Sequence, residues 1–233
     1  ISVKKVDVKV DKHFYKQVEF SDMEFTGSMS GSIENALGGM IDVIGRGVNR
    51  SISSLALEIP GFSGNLASTN KRDGSDLINL QEAIEQANVN DDRKLYLTSR
   101  SNADLLNVYA NYNYKDAEAS GVLGNKFNFD IMSDNQAITH KAGSASANAG
   151  LKLASDASAG TLVFNITAAV GDRFVKGDVL VIAGTEQTFA VASTVVAVAG
   201  ANAIPVTTAV VEAISANSAV TVVGDHRIDL ACT

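Results

Sequence analysis

The stretch from Ser32 to Leu57 constrains the fold more than any other part of this sequence. Ile33, Leu37, Ile41, Ile44, Val48, Ile52 and Leu55 recur at steps of three or four, which places them on one stripe of a 3.6-residue helix. At 1.5 Å per residue such a helix reaches roughly 39 Å, far beyond the three turns of an average globular helix. Gly38, Gly39, Gly45 and Gly47 each cost about 1 kcal/mol relative to Ala in its interior, so close packing by a neighbour has to hold it together. Asp42 and Arg46 stand four apart with the acid first, the order that favours a surface ion pair, and Arg50 continues that face. Pro60 and Gly61 close the element, because proline cannot continue a helix. A strut with its apolar stripe buried is the expectation.

Charge and composition narrow the functions open to such a chain. Its 19 basic and 26 acidic residues leave a net charge of −7, whereas nucleic-acid readers carry a clustered basic footprint. The single cysteine, Cys232, rules out an intrachain disulfide, and three histidines without nearby Cys partners argue against zinc. No apolar run approaches the ~20 residues of a membrane helix, and the start does not resemble a signal peptide. The first residue is Ile1, not Met, so residues upstream are expected to have been removed or to lie outside this sequence.

Candidate chemical groups read as structural ones. His13 has no second ligand-type residue at strand or helix spacing and is expected on the surface. Asp91 and Asp92 are adjacent in a polar turn with no partner base, which describes solvated carboxylates. Gly121 and Gly124 precede a strand and lack the Gly-Lys-Ser/Thr of a phosphate loop, so they mark a tight turn. Cys232, six residues after His226, is expected to be a small buried apolar residue and not a nucleophile. The expectation is therefore a protein that is not an enzyme, with no catalytic residues, no cofactor and no metal.

Along the chain, Val6 to Phe20 alternates in polarity and predicts a long strand or ribbon, bent near His13 where Lys12 and Lys16 interrupt the apolar face. After a polar loop to Gly74, Ser75 is the expected N-cap of a helix carrying Leu77, Leu80, Ile84 and Ala87. Lys94–Thr98 reads as a short strand, and Ser101 with Asp104 reads as a capping box for a helix through Leu105, Leu106 and Tyr109. Ala119 to Met132 gives a glycine turn and a strand with Phe127, Phe129 and Ile131 on one side. From Gly143 onward charge thins out and Ala, Val and Thr dominate, a shift that marks a boundary. Runs at Leu162–Ile166, Val179–Ala183, Thr188–Val198, Ile204–Val211 and Ala219–Val223, separated by glycine and polar turns, predict a small barrel or sandwich. Residues 143–224 are expected to fold as a unit inserted between 28–142 and a return at 225–233.

Three segments carry a family resemblance: Arg93–Leu106, Gly121–Asn135 and Lys176–Val191, in the order strand and helix, turn and strand, opening hairpin of an inserted unit. Taken with the long helix before them, this order resembles the major capsid proteins of tailed bacteriophages, the Hong Kong 97-type fold, in the short-tailed-phage branch that carries an inserted barrel. The resemblance implies an α+β fold in which residues 1–27 form an extended β arm over a neighbouring subunit, Ser32–Leu57 is the spine helix of a peripheral domain, and 143–224 is a small barrel-like insertion. It further implies pentamers and hexamers of an icosahedral head enclosing double-stranded DNA. Partners would be copies of the same chain, with scaffolding, portal and decoration proteins. DNA would be held only non-specifically, with no membrane, in a virion assembled in the host cytoplasm. Asp42, Arg46, Arg50, Lys12 and Lys16 are the subunit-interface candidates on this reading. Most of the family's axial domain, which should follow the insertion, is missing here, so the chain is expected to be incomplete. A bacterial surface or adhesion module, suggested by the Ala/Thr/Val-rich β region, is the alternative, and it would need a secretion signal or anchor.

Overall fold

The computed structural model describes residues 12–17, 30–62, 71–86, 92–110 and 123–232. The chain divides into two units, residues 1–52 and 53–233. The first is dominated by helix α1, Ser30–Ser53, which tightens into a 3-10 turn over Ser54–Glu58. Regular α geometry thus ends four residues short of Leu57, and the backbone turns extended at Ile59 (φ −86°, ψ 116°), where the ring of Pro60 disfavours the helical region for its predecessor. Residues 12–17 have no regular secondary structure, so the expected strand is not formed there, and the remainder of Val6–Phe20 lies outside the described residues.

The second unit takes in the 3-10 turn Ser54–Glu58 and continues with α2, Gly74–Gln86. Its N-cap is Asp73 and not Ser75: the Asp73 carboxylate accepts from the Ser75 amide at 2.8 Å and the Asp76 amide at 3.3 Å. Strand β1, Lys94–Thr98, has the expected bounds and runs directly into α3, Ser99–Ala110. That helix is capped by Thr98, whose hydroxyl accepts the Ser101 amide at 3.2 Å, so the expected capping box at Ser101 and Asp104 is displaced by three residues. Asp104 turns inward instead, for reasons given below.

A two-residue hairpin follows, with β2 at Gly124–Lys126 and β3 at Phe129–Asp134. Phe127 (φ 48°) and Asn128 (φ 63°) are both left-handed, the pair of conformations a type I′ turn requires. Phe127 is therefore at the exposed tip, not beside the buried Phe129 and Ile131. β3 lies parallel to β1 in the register Leu95↔Ile131, and the last strand, β14 (Leu230–Cys232), closes the other side of β1 antiparallel. The sheet order is β14-β1-β3-β2. Leu77, Leu95, Leu97, Leu105, Leu123, Phe129 and Ile131 form its core, with Leu80 and Ile84 of α2 packed against them.

Between β3 and β14 the chain leaves this sheet and builds a second core. It departs through β4, Thr139–His140, and returns through β13, His226–Arg227, and these two strands pair antiparallel with His226 opposite His140. A 3-10 turn, Ser144–Ala147, opens the intervening segment. Eight short strands follow: β5 Lys152–Leu153, β6 Val163–Thr167, β7 Arg173–Phe174, β8 Val179–Ile182, β9 Thr188–Ala190, β10 Val195–Val196, β11 Ala201–Pro205 and β12 Val220–Val222. They enclose Phe164, Ile166, Phe174, Leu180, Phe189 and Ile204, all fully buried, with the rings of Phe164 and Phe189 edge to face at 4.8 Å.

The expected barrel does not close. The strands form three small sheets, β10-β7, β11-β6-β5 and β12-β8-β9, joined by single bridges such as Lys152↔Ala219 and Val191↔Val206. Continuous ladders are prevented by frequent breaks: Gly171, Gly177, Gly184 and Gly200 all take φ between +91° and +95° at the expected turns. Pro205, which has no N–H, ends β11. The run expected over Thr188–Val198 is split into β9 and β10 by residues 191–194. The result is an α+β fold, with the β-rich segment wrapped on its own apolar centre.

Candidate interaction surface

The stripe on α1 forms at the expected spacing but is not buried. Leu37, Ile41, Val48 and Ile52 are exposed, Ile41 at 72%, and Leu55 just beyond them is exposed as well. Ile44 is half-buried. Among the described residues, a β-carbon added to Gly38, Gly39 or Gly45 would meet nothing within 4 Å. Gly47 differs: the ring of Phe14 lies 3.4 Å from where its β-carbon would be. Residues 12–17 are held along the C-terminal half of α1 by that contact and by the Lys12 ammonium, which donates to the Ser51 hydroxyl at 2.7 Å. His13 is exposed, as expected, and its ring stacks on Tyr15.

Of the five interface candidates, Asp42 and Arg46 form the expected i,i+4 ion pair on an exposed face, worth about 0.3–0.5 kcal/mol. Lys12 is engaged with Ser51, while Lys16 and Arg50 are exposed. Charge and apolar exposure therefore lie together on one helix and the short segment beside it. Asp91 lies outside the described residues, and Asp92 is exposed beside Lys94 at 3.4 Å.

Sequence reasoning missed the polar groups inside the second unit. Arg227 donates to Asp104 at 2.8 Å, and Arg72 pairs with Asp229 at 3.0 Å. Asp229 also accepts from the Thr98 amide at 2.9 Å and the Ser101 hydroxyl at 2.7 Å. Three segments remote in sequence, before α2, at the start of α3 and between β13 and β14, are thereby joined by a mostly buried network. Burial opposes ionisation of Asp104, but the guanidinium of Arg227, the Arg72 amide and the charge of Arg100 outweigh it and hold its carboxyl below the usual carboxylate range. The sequence signal was the concentration of charge in His226-Arg227-Ile228-Asp229, directly after a charge-poor region. An apolar cleft of about 500 Å³ adjoins the network, lined by Leu57, Leu77, Leu80, Ile84, Leu95 and His226 among others.

No group of three or more His, Cys, Asp or Glu side chains suited to a metal ion occurs among the described residues. Among the same residues, no helix is long and apolar enough to cross a membrane. No known family model matches the chain, and no curated protein matches it at a significant level.

Proposed function

We propose that this chain is a shell-forming structural protein, the major capsid protein of a tailed bacteriophage, and that α1 is the spine helix through which copies engage one another. The observation that carries the reading is the exposed aliphatic stripe of α1. Each such Leu, Ile or Val would contribute about 1.5–3 kcal/mol on burial, and a second copy of the chain can supply the covering surface over a length of roughly 36 Å. The glycine recesses at Gly38, Gly39 and Gly45 allow a neighbouring backbone to approach closely, which accounts for residues that otherwise only weaken a helix. Further support comes from topology: a small sheet interrupted after β3 by a β-rich segment with its own core is the order of elements that the resemblance in Arg93–Leu106, Gly121–Asn135 and Lys176–Val191 implies. The net charge of −7 suits a shell that encloses DNA without gripping it.

The reading is tested by replacing Ile41 with Asp. Because Ile41 is exposed, the variant should keep the wild-type circular dichroism and melting temperature, while its large assemblies, measured by sedimentation velocity, are lost. Assemblies of unchanged size in Ile41→Asp would remove α1 as the contact surface.

A further inference from the structure

Two of the three histidines stand at the two crossings of the neck that joins the β-rich segment to the first sheet, and they are register partners, with ring centroids 5.0 Å apart. Both are buried. The His140 Nε2–H donates to the Asp178 carboxylate at 2.7 Å, since a carboxylate can only accept. Asp178 is fully buried and also accepts from the Gly143 amide at 3.2 Å and the Val175 amide at 2.7 Å, so one side chain fastens the outgoing strand to the turn before β8. On the returning strand the His226 Nδ1–H donates to the Gly224 carbonyl at 2.9 Å, which leaves Nε2 as the site a further proton must take. Outside this pair Asp225 accepts from the Lys141 ammonium at 2.6 Å and from the Ala142 amide at 2.9 Å.

We infer that this neck is an acid-sensitive latch: it is closed while His226 is neutral and opens when His226 takes up a proton, freeing the base of the β-rich segment from the first sheet without unfolding either core. The charges around His226 favour this outcome. His140 faces it from β4 and Arg72 from the segment before α2, with Arg227 next to it in its own strand, against the carboxylates of Asp178 from the turn before β8 and Asp225. Asp178 is committed to His140 and two amides, Asp225 is engaged by Lys141, and Lys176 of the same turn is paired with Glu58. The cleft that His226 lines has Leu57 and Leu77 on its apolar walls and also carries Arg72, Arg227, Asp73, Asp76 and Asp229, of which Asp229 is paired with Arg72. Burial is the main cause that pushes the His226 imidazole below its ordinary value; the hydrogen bond to the Gly224 carbonyl and the Asp178 carboxylate oppose it, and His140 and Arg72 act in the same direction as burial. The sign follows from linkage. A histidine depressed in the closed state binds its proton more readily when the neck is open. Closure is thus fully stabilised above about pH 6.5, and that stability is lost as pH falls through the window below it.

The test is hydrogen–deuterium exchange on the full chain at pH 7.5 and pH 5.0, with rates corrected for intrinsic exchange. The Gly143 and Ile228 amides, bonded to the Asp178 carboxylate and the Ile138 carbonyl, should exchange at least threefold faster at the lower pH, while those of Phe164 and Ile166 in the β core stay unchanged. His226→Gln should abolish the difference, and His13→Gln, at an exposed histidine, should leave it intact. A smaller acceleration, one spread evenly into the β core, or one that persists in His226→Gln would overturn the latch. Should His226→Gln fail to fold, the imidazole C–H resonances of the wild type decide the matter: His226 must titrate below the ordinary histidine value of 6.5, and a midpoint at or above it overturns the inference.

Discussion

At Gly143 a β-carbon would sit 1.8 Å from the Arg173 carbonyl oxygen and 3.1 Å from the Asp178 carboxylate. The obstacle is backbone, so it cannot rotate away, and Gly143→Ala should destabilise the second unit by about 1–3 kcal/mol in a urea titration. An unchanged midpoint would mean that the Arg173 strand moves freely. Asp104 presents the opposite case, a carboxylate whose removal takes a buried ion-pair partner away from Arg227. Asp104→Ala leaves the Arg227 guanidinium buried without its carboxylate and should cost about 3–5 kcal/mol. Because the Asp104 carboxyl is held low, its contribution is present above the ordinary carboxylate range and is lost only as pH falls through it, well below the histidine window. A thermal melt series between pH 7 and pH 3 should therefore show Asp104→Ala and wild type converging at the acid end.

Among the elements, the β2–β3 hairpin carries a residue poorly suited to its backbone. Phe127 holds φ at 48°, where Asn and Gly are far better tolerated, and it is exposed, so nothing in a core depends on it. Phe127→Asn with Asn128→Gly should stabilise the protein by about 1 kcal/mol, read as a raised melting temperature; a lowered one would show that the phenyl ring has a packing role. This turn also explains a limit of sequence reading. Phe-Asn lacks the glycine of the usual Asn-Gly or Asp-Gly signal and puts an apolar residue at the first turn position, so the alternation Phe127, Phe129, Ile131 reads as one strand face. α1 was legible because its 3.6-residue period extends over many turns, and β1 because charge and turn residues flank Lys94–Thr98 closely. Periodicity did not say whether the apolar face of α1 is covered, since a stripe destined for the same chain and one destined for another copy look alike. The caps were misplaced by two or three residues at Asp73 and Thr98 because Ser, Thr and Asp cluster at both helix starts and only geometry selects among them. The ion network and the histidine neck were invisible for a different reason. Arg72, Asp104, Arg227 and Asp229 are far apart in sequence, as are His140, Asp178 and His226, and each alone looks like a solvated side chain.

For the whole molecule, the second unit is built as one sheet opened between β3 and β14 to admit a segment with a separate core, and the closing strand reaches β1 only after that segment is complete. The first unit offers a long helix whose aliphatic stripe lies in water. Under the proposed shell function, copies of the chain would cover the exposed stripe of α1. Negative-stain electron microscopy of the purified full chain at neutral pH tests this most directly. The account predicts closed particles tens of nanometres across, or rings of five and six copies. A field of isolated monomers at every concentration tried would contradict it.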